Sequence, residues 1–177
     1  MSIQGRTVVI TGASGALGST LARDLAAAGA NLALLERSAD KLAALVESLG
    51  LPDDCVLTHP VDLSDAAATN AAAEAVAERF GRVDGLLHLV GGWVGGKLLL
   101  ETEPTDLDNM LNQHTRTSFN ALRAFIPHLQ RNGWGRIVMV STPTAARPGA
   151  KNSAYAAGKA AQEALMLTAA QELKGSG

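Results

Sequence analysis

One cysteine, Cys55, stands in the whole sequence, so neither a disulfide framework nor a cysteine metal cluster is available. Charge of one sign is missing as well. The 15 Lys and Arg against 17 Asp and Glu leave a net charge of −2, and no like-charged run appears. That balance argues against nucleic acid or an anionic membrane surface as a partner. No apolar run reaches the roughly 18 residues of a membrane span. The apolar run beginning at Thr7 follows Met1 too closely for the charged and apolar regions of a signal peptide. These absences set the expectation of a cytoplasmic protein that binds a small molecule. Aromatics make up only 3% of the chain and tyrosine occurs once, as Tyr155.

With 47% hydrophobic residues in 177, the chain has enough apolar surface for the core of one domain. Strand-like runs at 7–11, 32–35, 56–59, 86–90 and 137–141 alternate with helical patterns at 16–28, 39–49, 65–80, 105–130 and 153–173. Ser38 and Ser64 stand where an N-cap oxygen takes an orphan amide. Gly29, Gly50, Gly81 and Gly133 follow helices as stops. The strands are continuous apolar runs, as a sheet covered on both faces requires. The alternation predicts right-handed βαβ units, an α/β doubly wound parallel sheet of Rossmann type in three layers, spanning 1–177 without a linker.

The first strand runs into "TGASGALG", Thr11 to Gly18, and then into a helix. Glycine allows a tight turn and lets a phosphate approach backbone amides at the positive end of the helix. The same residues also serve a plain strand-to-helix turn. The spacing departs from G-x-G-x-x-G, with Ala16 where glycine is commoner. Placed between the first strand and first helix, Gly12, Ser14, Gly15, Leu17 and Gly18 are assigned to a dinucleotide pyrophosphate. Glu36, ending the second strand in "LLERS", suits the adenosine ribose hydroxyls of NAD, while Arg37 beside it suits the extra phosphate of NADP. Asp62, with Leu63 in "HPVDLSD", is placed either at the adenine or as a helix cap.

"NSAYAAGKAAQ" puts Lys159 four residues after Tyr155, on the same face of a helix. A phenol has a pKa of about 10, and a nearby ammonium favours its ionised form. Such a pair is able to move a proton in carbonyl chemistry. A surface tyrosine beside a surface lysine is the plain alternative.

Taken in order, "TGASGALG", Asp62 after the third strand, "LLHLVGG", "IVMVST" and "YAAGK" resemble the short-chain dehydrogenase/reductase family along essentially the whole chain. The resemblance implies an NAD- or NADP-dependent oxidoreductase that moves hydride between nicotinamide and a carbonyl, alcohol or C=N group. It implies Tyr155 as acid/base, with Lys159 holding the nicotinamide ribose and favouring the phenolate. The hydroxyl that polarises the substrate falls on Thr142 where serine is usual, with Ser141 next to it as the alternative. Gly91 and Gly92 join the cofactor site, and no metal is implied. A homodimer or homotetramer through the fourth and fifth helices is the family pattern, with the small residues Ala156, Ala157, Gly158, Ala160 and Ala161 permitting close approach.

Three departures stand out. His88 begins the stretch that commonly reads Asn-Asn-Ala-Gly and is expected in the core or an interface. His114 aligns with the asparagine of the family's proton relay, either passing protons or facing solvent. "GGWVGG", Gly91 to Gly96, is similar to the Gly-Gly-Trp-x-Gly-Gly of dihydropteridine reductases, with Trp93 stacking on a flat ring or covering its own loop. Family members also continue with at least one more strand and a substrate-covering loop, so the chain is expected to be C-terminally incomplete, with its fifth strand an open edge. A catalytically inactive nucleotide-binding or assembly module, or a self-associating scaffold with a vestigial site, is the rival expectation.

Overall fold

The computed structural model describes residues 2–177. Five parallel strands, β1 (Thr7–Thr11), β2 (Asn31–Glu36), β3 (Val56–Pro60), β4 (Gly85–His88) and β5 (Arg136–Met139), form one sheet in the order β3-β2-β1-β4-β5. The chain steps outward from β1 to β3, then crosses back to place β4 on the other side of β1. Thr11 therefore pairs with Leu35 on one side and His88 on the other. That reversal opens a crevice at the carboxyl ends of β1 and β4, where doubly wound sheets take their ligands.

Alternation along β1 explains the three layers. Val9 joins Ala33, Leu35, Val76, Leu86 and Phe125 in one core, while Val8 and Ile10 join Leu32, Leu34, Leu42 and Leu45 in the other. Helices α1 (Ala16–Ala27) and α2 (Ala39–Leu49) cover the second face, and α3 (Ala66–Phe80) and α5 (Thr117–Gln130) the first. Full burial is confined to the inner strands. At the edge, Val138 of β5 is 49% exposed and Val140 just beyond it 44%, and among the described residues β5 pairs only with β4. At the opposite end of the sheet the buried Asp84 takes the Thr7 amide at 2.9 Å and a bidentate Arg82 at 2.6 and 2.7 Å. Burial alone would raise this carboxyl. The hydrogen bonds from Arg82 and Thr7 and the charges of Arg82 and Arg6 outweigh it and hold the group below its ordinary range.

Caps and ends depart from expectation at definite places. Ser38 caps α2 by accepting the Lys41 amide, and Gly50 and Gly81 end α2 and α3 with φ of +59° and +69°. The cap of α3 is Asp65 rather than Ser64, because the helix begins one residue later and the Asp65 carboxylate takes the Ala68 amide at 3.0 Å. β4 stops at His88 instead of continuing to residue 90, since β1 beside it turns away at Gly12. β5 loses its only neighbour at the same level and stops at Met139.

The long helix expected at 105–130 is interrupted. It comprises α4 (Pro104–Met110), a π-helical turn (Leu111–Arg116) and α5, in which the wider turn takes up extra backbone. One short turn, α6 (Pro143–Ala146), precedes the last helix, α7 (Ser153–Glu172). Among the described residues, no helix is long and apolar enough to cross a membrane. No group of three or more His, Cys, Asp or Glu is placed to hold a metal ion among them.

Candidate active site

Gly12 leaves β1 with a φ of +68°, and a Cβ there would lie 3.3 Å from the backbone of Leu89 and Val90. A Cβ on Gly18, in the first turn of α1, would run into the Gly12 carbonyl and come within 2.8 Å of the Ala13 carbonyl oxygen. The loop thus closes against its own helix only without side chains at these two positions. Gly15 caps α1 with no side chain to bond the first amides, so those donors remain available to an anion at the helix's positive end.

Above this loop lies a cleft of about 250 Å³. Gly12, Gly15, Glu36, Arg37, Asp62, Leu63 and Gly91 line it, together with Leu35, Val61, Leu89, Val90, Asn112, Gln113 and Thr117. Ser14 reaches it indirectly, donating its hydroxyl to the Glu36 carboxylate at 3.0 Å. The Arg37 amide donates to the other oxygen at 2.8 Å, while the Arg37 side chain is exposed. Asp62 accepts the Ser64 amide at 2.9 Å, and hydrogen bonding from Ser64 holds its carboxyl below the ordinary range against the opposing effect of burial. Leu17 does not join the cleft; it is 49% exposed on the first turn of α1. Asn112 and Gln113 on the π-helical turn and Thr117 at the start of α5 line the cleft without a signal in the sequence.

His88 is buried beneath the cleft. Its Nδ1 lies 2.8 Å from the Thr11 hydroxyl and its Nε2 3.4 Å from that of Thr117. Burial, with smaller effects of Lys159 and His114, pulls its pKa down to about 3, so the ring is neutral and ties β1 to β4. His114 is buried too, which overturns the solvent-facing alternative. Its Nε2 makes a 2.8 Å hydrogen bond with the Gly92 carbonyl, and its ring stands edge-on to Tyr155 with centroids 5.5 Å apart. A Cβ on Gly91 would strike the imidazole at 2.7 Å. Burial lowers the His114 pKa, partly opposed by the Gly92 bond.

Tyr155 is half-buried on the first turn of α7. Lys159, one turn later, is 6% exposed, and burial lowers its pKa. Its ammonium donates to the Val140 carbonyl at 2.8 Å and to Gln162 Oε1 at 2.7 Å. Thr142 caps α6, accepting the Thr144 amide at 3.3 Å and keeping its own proton to donate, while Ser141 is exposed. The "GGWVGG" loop is fastened to the turn that opens α7. Trp93 Nε1 donates to Asn152 Oδ1 at 3.3 Å, Gly96 donates to the Lys151 carbonyl at 2.8 Å, and a Cβ on Gly95 would meet the indole at 2.6 Å. Trp93 thus packs on Gly95 within its own loop and leaves 62% of its surface exposed.

The small residues of α7 are used within the chain. Ala156 and Gly158 are buried, and a Cβ on Gly158 would sit 2.7 Å from the Met110 carbonyl oxygen. Ala161 is half-buried and Ala157 and Ala160 are exposed, so of the five Gly158 is the one packed directly against α4 and the π-helical turn.

Residues 6–177 match the family described as short chain dehydrogenase. The chain is 33% identical over 175 residues to the D-beta-hydroxybutyrate dehydrogenase of Rhizobium meliloti, covering 97% of this chain and 67% of that protein. Among solved structures, a short-chain type dehydrogenase/reductase from Mycobacterium ulcerans superposes with a TM-score of 0.92 at 28% identity, covering 99% of this chain and 65% of that one. A metagenomic short-chain oxidoreductase in complex with NADP gives a TM-score of 0.86 at 31% identity, covering 99% and 80%. The chain belongs to the short-chain dehydrogenase/reductase family of oxidoreductases. It spans between 57% and 67% of the length of the first three curated relatives it matches.

Proposed function

We propose that this chain carries the cofactor site and the acid/base pair of an NAD(P)-dependent oxidoreductase acting on a carbonyl, alcohol or C=N group. The observation that carries the proposal is the position of His114, which joins the two halves of the site. It bonds the Gly92 carbonyl next to the cleft and packs its ring against Tyr155.

The residues fit a dinucleotide. The side-chain-free loop at Gly12 and Gly18, the uncapped amides of α1 and the carboxylates of Glu36 and Asp62 would hold the pyrophosphate, ribose and adenine in turn. The nicotinamide, when bound, supplies or accepts the hydride. The Tyr155 hydroxyl gives its proton to the substrate oxygen in reduction and takes it back in oxidation. Lys159 contributes a positive charge that favours the phenolate, and Thr142 donates a hydrogen bond to the developing oxyanion. Ser141, exposed and next in sequence, is the second candidate for that hydrogen bond.

Glu36 favours NAD. Its carboxylate is fixed by Ser14 and Arg37 and would repel the 2′-phosphate of NADP. The exposed Arg37 side chain leaves NADP open, and NADP is the ligand of the metagenomic relative. Self-association through the fourth and fifth helices of the sequence pattern, which are the α4–α5 helix and α7, where Leu107, Phe119 and Leu167 stay exposed, belongs to the same reading and is checked by sedimentation.

The test is Tyr155→Phe in the full chain, assayed for NAD(P)H turnover over a panel of ketones and quinonoid pterins with cofactor binding measured in parallel. Loss of turnover with binding retained is expected. Full turnover in the variant overturns the assignment, and binding without turnover in the parent favours a nucleotide-binding module.

A further inference from the structure

Among the described residues no carboxylate pairs with Lys159, although its ammonium is almost fully buried. It is held instead by two neutral oxygens, the Val140 carbonyl and Gln162 Oε1. Gln162 is itself 3% exposed, and its NH2 donates to the hydroxyl of Ser118, which is fully buried, at 2.8 Å. The Ser118 hydroxyl donates to the His114 carbonyl at 2.5 Å. Donors and acceptors match in one sense only. A carbonyl only accepts, so the Ser118 proton is committed to His114. Ser118 must then receive from the Gln162 NH2, which turns the Gln162 oxygen toward the ammonium. The chain runs from α7 across α5 into the π-helical turn, and ends on the residue whose ring abuts Tyr155.

We propose that Gln162 and Ser118 are positioning residues for Lys159, holding its ammonium against the Val140 carbonyl without neutralising it, so that its whole charge acts on the Tyr155 phenol. A carboxylate in place of the Gln162 amide would bind the ammonium more strongly and cancel that charge. The other groups around Lys159 leave the charge uncompensated. His88 at the end of β4 and His114 in the π-helical turn are kept neutral by burial, Tyr155 lies one turn earlier on α7, β5 contributes the Val140 carbonyl beyond its end, and α5 contributes the Ser118 hydroxyl. The inference rests on the reading of Tyr155 and Lys159 as a working pair.

Because Tyr155 is the only tyrosine of these 177 residues, the near-ultraviolet absorbance of tyrosinate, followed against pH in this 177-residue chain, reports this phenol alone. The titration needs neither substrate nor cofactor. Lys159→Met is expected to raise the midpoint and fixes the effect of removing the charge. Gln162→Glu is expected to raise it by as much as Lys159→Met does. Ser118→Ala and Gln162→Leu are expected to raise it less, since a buried ammonium that loses its acceptor gives up its proton more readily. Midpoints equal to the parent in all three strut variants, with Lys159→Met shifted, overturn the inference. An unmoved midpoint in Lys159→Met overturns the pairing of Tyr155 with Lys159 as well. A merely structural role would lower the melting temperature, read by circular dichroism on the same samples, and leave the midpoint in place.

Discussion

The imidazole of His114 meets the ring of Tyr155 edge-to-face, at 5.5 Å between centroids and 77° between planes, while its Nε2 holds the Gly92 carbonyl at 2.8 Å. One side chain thus braces both Tyr155, the proposed proton donor, and the glycine loop beside the cleft. His114→Phe keeps the aromatic contact and loses the hydrogen bond, so KM for the cofactor should rise with kcat little changed. His114→Ala loses both, and kcat should also fall by about tenfold or more, as misplacement of a reacting group does. Steady-state kinetics of the two variants separate these effects.

The glycines of the first loop should differ sharply in tolerance. A Cβ at Gly18 collides with the Gly12 carbonyl, whereas one at Gly15 lies 3.3 Å from it. Gly18→Ala is expected to cost about 1–3 kcal/mol of stability, typical of overpacking, and to abolish dinucleotide binding. Gly15→Ala should be milder in both respects. Urea unfolding and cofactor titration by fluorescence check the pair.

Removing the Glu36 carboxylate should shift cofactor preference. In Glu36→Ala, Arg37 faces the ribose without a competing negative charge. The ratio of kcat/KM for NADPH over NADH is expected to rise about tenfold, equivalent to about 1.4 kcal/mol. An unchanged ratio would remove Glu36 from the cofactor site.

Stability should fall in mild acid through His88. The buried ring resists protonation until a pH of about 3, whereas the unfolded chain takes up that proton near a pH of about 6.5. Between those values the unfolded state binds more protons, so stability declines as pH drops, by about 1.4 kcal/mol per pH unit for one such group. His88→Asn removes the titrating ring and should flatten the slope of unfolding free energy against pH in that window. Denaturant melts at several pH values provide the measurement.

The alternation of apolar runs and glycine stops made the sheet, its parallel sense and the position of the cleft legible, because each depends on local pattern and chain order. Tyr155 and Lys159 were legible through their spacing and their place after the fifth strand. Gln162 and Ser118 were not: they lie 44 residues apart and meet only when α7 packs on α5. The sequence did not show that the Leu17 side chain lies outside the cleft lining, because the first turn of α1 leaves it exposed to solvent. Ser64 lost the cap to Asp65 through a shift of one residue, which pattern alone does not resolve.

The π-helical turn at Leu111–Arg116 makes chain length a functional quantity in this part of the molecule. Inserting one further residue into the already wide turn would rotate α4 by about 100° relative to α5. Met110 would swing away from Gly158, and the contact between α4 and α7 would be lost. Substitutions along this helix are tolerable or not according to side chain, but its residue count is fixed. A gain of one residue between α4 and α5 should therefore damage the site more than most replacements within it.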